Sequence, residues 1–348
     1  MRGHFKAHRP PSGNPDASVP AESPLCAGSS KAHRPPYAAL DRVKELASFN
    51  ADGESVVRGS SKRISRRAIL GGFASALACL AQETDPWSRL RKTHSRLLLQ
   101  DSDLDRIKLL IRDNPLAKRI YTELEKECEK LQTALPVDYK LTGNRLLAQC
   151  RKAVDRIGTL ALMFRVTGKE SYLHRAVLEM RACANFKDWN PAHFLDTAEM
   201  SHAMALGYDW LHPALSFEER AWIAGAIVGK GLDPAIAAYQ AKATWTTSRY
   251  YWNPVCNSGI LLGALAVAED FAPKSSSILK SAMDSLSHVL TAWGSDGGWP
   301  EGPYYGDFAG RSMTILTAAL ETAFGSDLGL IGTTGISLTP FFQLEAMG

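Results

Sequence analysis

The sequence predicts an all-α protein of stacked antiparallel helix pairs, preceded by a disordered tail. Apolar residues recur every three or four positions almost everywhere beyond residue 100, which is the helical period. Runs that alternate apolar and polar residues between turn signals, which would indicate strands, are missing from that region. Long helices that are joined by short loops and are apolar on one broad face stack as antiparallel pairs. The pattern leaves open whether these pairs close into an (α/α) toroid or extend as an open solenoid.

The composition is that of a globular protein, and the excess of basic over acidic residues lies in one part of the chain. Of the 348 residues, 45% are apolar and 22% are charged, which excludes a fully disordered chain, a coiled coil and a collagen-like fibre. Residues 1–67 carry twelve Lys or Arg and six Asp or Glu, whereas the other 281 residues carry 28 and 30. The globular part therefore has no large positive field, and we expect no nucleic-acid partner.

Residues 1–60 have the composition of a disordered tail. Seven of the 18 prolines lie within the first 36 residues, and the hexapeptide Lys-Ala-His-Arg-Pro-Pro occurs at 6–11 and again at 31–36. A stretch so rich in Pro, Ser and Ala cannot bury enough apolar surface to offset the entropy that it would lose on ordering.

Residues 61–81 have the layout of an export signal. A basic stretch with Arg66 and Arg67 precedes an apolar run of about a dozen residues, and Ala76-Leu77-Ala78 offers a small-x-small cleavage site. The Arg pair resembles the twin-arginine signal, and the apolar run is too short to span a bilayer. We expect a periplasmic or secreted protein with no stable membrane span. The alternative is a buried core helix with a chance Arg pair.

The position of this signal bears on where the protein begins. Export receptors read signals at the chain terminus, so a signal that starts sixty residues into the chain is unusual. We expect the true start codon near Val56 or Val57 and a mature domain of residues 82–348.

The apolar period, together with the residues that cap or end helices, predicts the individual helices. Ser102 or Asp103 can cap a first helix, and Pro115 marks its end. The next clear stripe begins at Leu147 and is closed by Gly168, which suits a left-handed helix end. Further helices, each bounded by Gly, Pro, Asn or an Asp/Ser cap, are expected at about 170–185, 194–212, 217–240, 256–269, 276–293, 309–324 and 338–346.

Three segments carry more aromatic and polar residues than helix packing needs. They are 189–202, 245–257 and 295–308, and they place Trp, Tyr and Asn beside Gly and Pro in loops or at helix starts. Aromatic rings offer flat apolar faces to sugar rings, and Asn, Arg and Glu form hydrogen bonds with hydroxyls and carboxylates. The segments therefore indicate a cleft that binds a carbohydrate.

In this order, these motifs resemble those of the heparinase II/III-like and alginate-lyase-like polysaccharide lyases over most of residues 94–348. The matching stretches are His94-Ser-Arg-Leu-Leu-Leu, His193-Phe-Leu-Asp-Thr-Ala-Glu-Met, Gly207-Tyr-Asp-Trp-Leu, Trp252-Asn-Pro-Val-Cys-Asn-Ser-Gly and Asp296-Gly-Gly-Trp-Pro-Glu-Gly-Pro-Tyr-Tyr. The resemblance implies an (α/α) toroid followed by β-sandwich domains. It also implies β-elimination, so the expected partner is an anionic uronate polysaccharide or oligosaccharide.

Such an elimination requires no metal or organic cofactor. The proton α to the uronate carboxylate is weakly acidic, so a donor such as Asn, His or Arg must neutralise the carboxylate as charge develops. A Tyr hydroxyl can take the proton and donate to the leaving glycosidic oxygen. By position in the family motifs, Asn253 is the expected neutralising group and Tyr305 the expected acid and base, with Tyr304 as the alternative.

Six further residues are expected to bind substrate: His193, Glu199, Arg249, Trp252, Trp299 and Glu301. The chain also departs from the family pattern in three places. Pro254 follows Asn253 where many relatives have His, and Phe308 stands where Tyr is common. The sequence stops at Gly348, where relatives continue into the β-sandwich, so we expect the toroid domain alone.

Several of these residues could instead have structural roles or serve a different reaction. Asn253 can cap the helix that follows it, and the Trp residues can belong to the core. Asp296 and Glu301 can be the paired carboxylates of a toroid glycoside hydrolase, and a truncated toroid can bind glycans without catalysis. His193 and His202 are nine residues apart and share no helix face, so we expect no zinc site.

Overall fold

The structure, a computed structural model, describes residues 85–332 and 335–346. In these ranges it contains helices and connecting loops but no β-strand, so the all-α prediction is confirmed for the described residues. The expected tail (1–60) and export signal (61–81) lie outside them. No helix in the described ranges is both long and apolar enough to cross a membrane.

The α-helices are, in chain order, α1 (Asp101–Asp113), α2 (Pro115–Thr133), α3 (Leu147–Thr167), α4 (Glu170–Asn185), α5 (Phe194–Leu211), α6 (Phe217–Ile227), α7 (Asp233–Gln240), α8 (Trp252–Ala266), α9 (Ala272–Leu290), α10 (Pro303–Phe324) and α11 (Thr339–Ala346). Gly168 closes α3 in the left-handed conformation, with φ 71°, as the sequence predicts. The single helix expected at 217–240 is instead divided into α6 and α7 by a π-helical turn, Val228–Leu232.

Prolines that looked like helix boundaries lie inside the first turns of helices. A proline is tolerated there because the N–H that it lacks would have no partner within the helix. Pro115, expected to end α1, is the first residue of α2, a helix that the sequence analysis did not predict. The Asn114 side chain caps α2 by accepting hydrogen bonds from two of its N–H groups. Three other helices begin earlier than expected, at Trp252, Ala272 and Pro303.

Four helices, α3, α5, α8 and α10, pack side by side in that order and form an inner layer. Outside them, α4 packs against α3, and α9 packs against α8. Every residue of α5 is buried, and so is every residue of α8 after Trp252. A helix that is buried on all sides belongs to the core, so α5 and α8 form the centre of the described chain.

An extended segment, residues 91–99 and here termed the strap, crosses the C-terminal ends of the inner helices. Arg165 of α3, Trp210 of α5 and Thr322 of α10 form hydrogen bonds with it at 2.8, 2.7 and 3.0 Å. All three residues lie in or near the last turn of their helices. These inner helices therefore run in the same direction, and their N-terminal ends lie together on the side away from the strap.

Asp209, fully buried near the end of α5, holds the strap in place. Its carboxylate accepts hydrogen bonds from two strap N–H groups at 2.8 to 3.1 Å and lies 2.7 Å from His94 Nδ1. The buried Arg96 side chain pairs with Glu269, just beyond α8. His94 stacks on His212 at 3.8 Å, and burial, together with the neighbouring positive groups, lowers the pKa of His212 to about 4. The His212 ring is therefore neutral near pH 7.

The two central helices meet backbone to backbone at Gly259 of α8. A Cβ atom added there would lie 2.1 Å from the carbonyl oxygen of Ala198 on α5. No side chain fits at that distance, so the crossing of α5 and α8 requires a glycine. Gly225 of α6 is the opposite case, because a Cβ atom added there would meet no atom within 4 Å.

We predict that Gly259→Ala lowers the free energy of unfolding by about 1–3 kcal/mol, because the new methyl group forces the two backbones apart. Gly225→Ala is the matched control. It should raise the same quantity by about 0.5–1 kcal/mol, since alanine loses less conformational entropy in a helix. Urea denaturation measures both changes. Equal stability of the two variants would contradict the close crossing.

Candidate functional site

The N-terminal ends of the inner helices bring together aromatic side chains from all three segments singled out in the sequence. Tyr251 stacks on Tyr305, with 4.7 Å between the ring centroids. Tyr304 meets Tyr305 edge to face at 5.2 Å. Trp252 packs edge to face against His193, the residue before α5, at 4.9 Å. These five side chains are termed the aromatic cluster below.

Tyr304 and Tyr305 lie in the first turn of α10 rather than in a loop. Gly302 turns the chain with φ 83°, a conformation that suits glycine, and Pro303 begins the helix. Successive residues of a helix point in different directions. Tyr304 is 71% exposed, whereas Tyr305 is half-buried against Tyr251.

Glu301 connects the start of α10 to the segment before α8. Its Oε2 accepts hydrogen bonds from Tyr251 N at 2.7 Å and from Trp299 Nε1 at 3.1 Å. Burial raises the pKa of the Glu301 carboxyl, although these two bonds oppose the shift. Trp299 is itself buried and packs on Trp293 at 4.4 Å, so it is a core residue and not the sugar platform that the sequence suggested.

A narrow pocket lies one to two turns further along the inner helices, between α5, α8 and α10. Glu199, His202, Ser258 and Arg311 are among its lining residues, and the space inside it holds about one water molecule. Glu199 is almost fully buried and accepts a hydrogen bond from Arg151 Nε at 3.3 Å. The predicted residue Glu199 is thus a buried, paired carboxylate at the base of the site.

Two arginines that the sequence analysis missed belong to this end of the protein. The guanidinium group of Arg151, on α3, lies 4.8 Å from the centroid of the Phe308 ring. Arg311 Nη2 donates to Asp307 Oδ2 at 2.6 Å. Arg311 comes three residues after Phe308, and residues three apart lie on the same face of a helix. The sequence spacing could therefore have predicted that Arg311 lies beside the aromatic residues. Arg151 gave no such signal, because its contact with α10 is a tertiary one.

Asn253 does not reach the aromatic cluster. It is fully buried in the first turn of α8, where its Nδ2 donates to the carbonyl and hydroxyl oxygens of Ser285 on α9 at 3.0 and 3.1 Å. Its Oδ1 accepts a hydrogen bond from Asn257 Nδ2 at 3.0 Å. Because α8 begins at Trp252, Asn253 is not the helix cap either. A substrate carboxylate can contact this amide only by displacing Ser285.

Two other predicted residues have separate local contacts. Arg249 is exposed and donates to the carbonyl oxygen of Thr291, just after α9, at 3.3 Å. Asp296 accepts a hydrogen bond from Gly298 N within its own loop at 2.9 Å, whereas Glu301 faces the segment before α8. The two carboxylates expected to pair in a hydrolase are therefore held by different partners.

His193 forms a pair with Asp196, a residue that the sequence analysis did not single out. His193 Nδ1 lies 2.8 Å from Asp196 Oδ1. Asp196 is fully buried, and its Oδ2 accepts hydrogen bonds from Leu146 N and Asn190 Nδ2, each at 2.6 Å. Within the described ranges, no group of three His, Cys, Asp or Glu residues could hold a metal ion.

Comparison with known proteins gives no match: no family model fits the chain, and no curated protein is similar to it at a significant level. The interpretation of this site therefore depends on its own geometry and on the motifs described above.

We predict that Asn253→Ala lowers the free energy of unfolding by about 1–3 kcal/mol, because it removes the buried hydrogen bonds that the amide forms with Ser285 and Asn257. Asn185→Ala, at the exposed end of α4, is the matched control and should change stability by less than about 0.5 kcal/mol. Urea denaturation provides the comparison. An Asn253→Ala variant as stable as the parent would show that the amide does not brace α8 against α9.

The raised pKa of Glu301 predicts a pH dependence of stability. Between the unfolded pKa, about 4.3, and the higher folded pKa, the folded protein binds more protons than the unfolded chain. Stability contributed by the protonated group is therefore lost as the pH rises through this window. We expect the stability of the parent relative to Glu301→Gln to fall as the pH rises above about 4. Denaturation at several pH values measures it, and a difference that rises with pH would contradict the burial effect.

Proposed function

We propose that this chain is a polysaccharide lyase that cleaves a uronate-containing polysaccharide by β-elimination, as its resemblance to the heparinase II/III-like and alginate-lyase-like enzymes implies. The observation that carries the proposal is the stack of Tyr251 and Tyr305 at the starts of two inner helices. Beside it, Arg151 lies over the ring of Phe308. A phenol close to a cationic group meets the two main needs of elimination at a uronate, which are proton transfer and charge neutralisation.

In the proposed reaction, the Tyr305 hydroxyl supplies acid and base catalysis. The proton α to the carboxylate is removed, its electron pair forms a carbon–carbon double bond, and the leaving glycosidic oxygen receives a proton. Tyr305 suits this role better than Tyr304, because contacts with Tyr251 and Tyr304 hold its ring, whereas Tyr304 is largely exposed. Tyr304 remains the alternative.

We assign charge neutralisation to Arg151 and Arg311, in place of the buried Asn253. A guanidinium group presents a planar fork of donors that matches a carboxylate. Glu199 and Asp307 each contact one of these arginines, which holds the guanidinium groups in position. The N-terminal ends of α5, α8 and α10 add partial positive charge on the same side of the protein.

Sugar rings are proposed to stack on the aromatic faces at the same end of the helices. Trp252 is half-buried, and Tyr304 and Tyr250 are 71% and 58% exposed, so all three present ring surface to a ligand. Their neighbours would form hydrogen bonds with sugar hydroxyls. These neighbours are His193, Arg249 and Glu301, whereas the almost fully buried Glu199 would act by holding Arg151.

The same proposal covers architecture and location. Helices α3 and α10 are the first and last of the inner layer, and Arg151 and Phe308 join them, which supports an (α/α) toroid over residues 82–348. Residues 61–81 support twin-arginine export to the periplasm or the medium. The proposed reaction needs no cofactor.

The lyase proposal predicts that Tyr305→Phe keeps the fold and lowers turnover by about 10²–10⁴-fold, because only the acid–base hydroxyl is lost. Tyr121→Phe, on the outer helix α2, removes a hydroxyl far from the site and is the matched control. Turnover is measured as ultraviolet absorbance of the unsaturated uronate formed from alginate or heparan sulfate.

The outcomes separate the competing functions. Reducing ends released without ultraviolet absorbance would identify a hydrolase, and glycan binding without product would identify a binding protein. A Tyr305→Phe variant as active as the parent would move the role to Tyr304, and Tyr304→Phe then tests that alternative directly.

A further inference from the structure

An open groove, termed the outer groove below, lies between α4, α6 and the π-helical turn Val228–Leu232. Its volume is about 490 Å³, which is in the range of sites for small ligands. Several of its lining residues are alanine or glycine, and a Cβ atom added at Gly225 would meet no atom within 4 Å. The outer groove shares no lining residue with the aromatic cluster, so a ligand in it would occupy a separate site.

Arg181, on the α4 side of the outer groove, is held in place but has no anionic partner. Its guanidinium group lies 4.5 Å from the centroid of the Trp222 ring on α6, which is a cation–π contact. The side chain is exposed, and no carboxylate in the described ranges forms an ion pair with it. The contact with Trp222 restrains the guanidinium group and leaves its N–H groups without an acceptor. A carboxylate matches this planar fork of donors.

Trp222 contributes a further donor to the same wall of the groove. Its ring is half-buried, and its Nε1 is buried without a hydrogen-bond acceptor among the described residues. A buried N–H group without an acceptor costs free energy, and a ligand oxygen that accepts from it would remove that cost.

The remaining polar groups of the outer groove suit a ligand with hydroxyls and a negative charge. Asn185, the last residue of α4, and Glu218, in the first turn of α6, are exposed and form no side-chain hydrogen bond within the described ranges. An amide and a carboxylate both form hydrogen bonds with hydroxyl groups. Lys230 also lines the groove and donates to the carbonyl oxygen of Phe186. Two positive charges thus face the single negative charge of Glu218.

We propose that the outer groove is a non-catalytic binding site for an acidic sugar, in which Arg181 binds the carboxylate and Asn185 and Glu218 bind hydroxyls. A uronate residue carries a carboxylate, several hydroxyls and an apolar C–H face, and the groove offers partners for all three. The ligand class rests on the lyase function proposed above, but binding in the groove requires no turnover.

A site at this position can hold the same polysaccharide chain that enters the aromatic cluster. Asn185 comes eight residues before His193, so the Cα atoms of the two residues are at most about 28 Å apart. A polymer bound in the outer groove raises the effective concentration of its other sugars at the cluster. The groove should therefore matter for long substrates and not for short ones.

The first test is titration of the folded protein with a tetrasaccharide of mannuronate, the uronate of alginate. The readout is the indole ¹H–¹⁵N signal of Trp222, which Trp222→Phe identifies. Tyr305→Phe is the background, so that the ligand is not consumed. The signal should shift in a saturable manner. The corresponding tetrasaccharide of mannose, which lacks the carboxylates, should bind at least about tenfold more weakly.

The second test uses variants of the groove in the same background. Arg181→Ala should weaken binding by about tenfold or more, because it removes charge-assisted hydrogen bonds to the carboxylate. Gly225→Leu should block binding, because it fills the groove from a position with open space and replaces glycine by a better helix former. Arg119→Ala, at an exposed position of α2, is the control and should bind like the background protein.

The outcomes distinguish this inference from the lyase function. An unchanged Trp222 signal, an equal response to the mannose tetrasaccharide, or unaltered binding by Gly225→Leu overturns the groove site whether or not the protein is a lyase. Carboxylate-dependent binding by a protein that forms no unsaturated product supports the groove site and overturns the lyase function alone. If the protein is active, Arg181→Ala should raise KM on long alginate and leave turnover of the tetrasaccharide unchanged; equal KM values on the polymer would overturn the role in holding long substrates.

Discussion

The architecture depends on the complete burial of α5 and α8 at the centre of the inner layer. Their backbones touch where Gly259 meets the carbonyl oxygen of Ala198, and this close approach sets the spacing of the neighbouring helices. Helices buried on every side can hold few charged groups along their length, because an unpaired buried charge costs several kcal/mol. The charged residues of the inner layer are therefore paired or lie near its two ends. The two ends differ in the surroundings of their polar groups.

At the strap end, the polar groups are buried within the protein. Asp209 accepts two backbone N–H bonds and contacts His94, and Arg96 pairs with Glu269, although Arg96 Nε and Nη1 have no hydrogen-bond partner among the described residues. At the opposite end, polar groups lie beside exposed aromatic faces instead. Buried carboxylates such as Asp196 are kept there at a cost in solvation. A ligand at this end can form hydrogen bonds and also stack on exposed rings.

The sequence predicted much of the fold because local rules decide helix existence and many helix ends. Gly168 closes α3 through its left-handed conformation, which no tertiary contact is needed to explain. Helix starts were less predictable, since Pro115 and Pro303 begin helices and do not precede them. The site was harder still: burial of Asn253 and Trp299 results from packing by α9 and Trp293, residues that no local pattern connects to them. The three motifs do meet at one end of the inner helices, but motif position did not predict which of their side chains face the surface there.

Asn253 shows how a residue can control a site that it does not touch. The Ser285 hydroxyl donates to the carbonyl oxygen of Thr246 at 2.6 Å, and Asn253 donates to Ser285, so the segment before α8 is tied to α9. That segment carries Tyr251, whose ring stacks on Tyr305 and whose N–H binds Glu301. A displacement of about 1 Å at a helix start is enough to lower the rate of an oriented reaction substantially. Under the proposed lyase function, lower turnover after substitution of Asn253 is therefore expected from misplacement of Tyr251 alone. A variant that retains the stability of the parent while losing turnover would instead indicate contact with substrate.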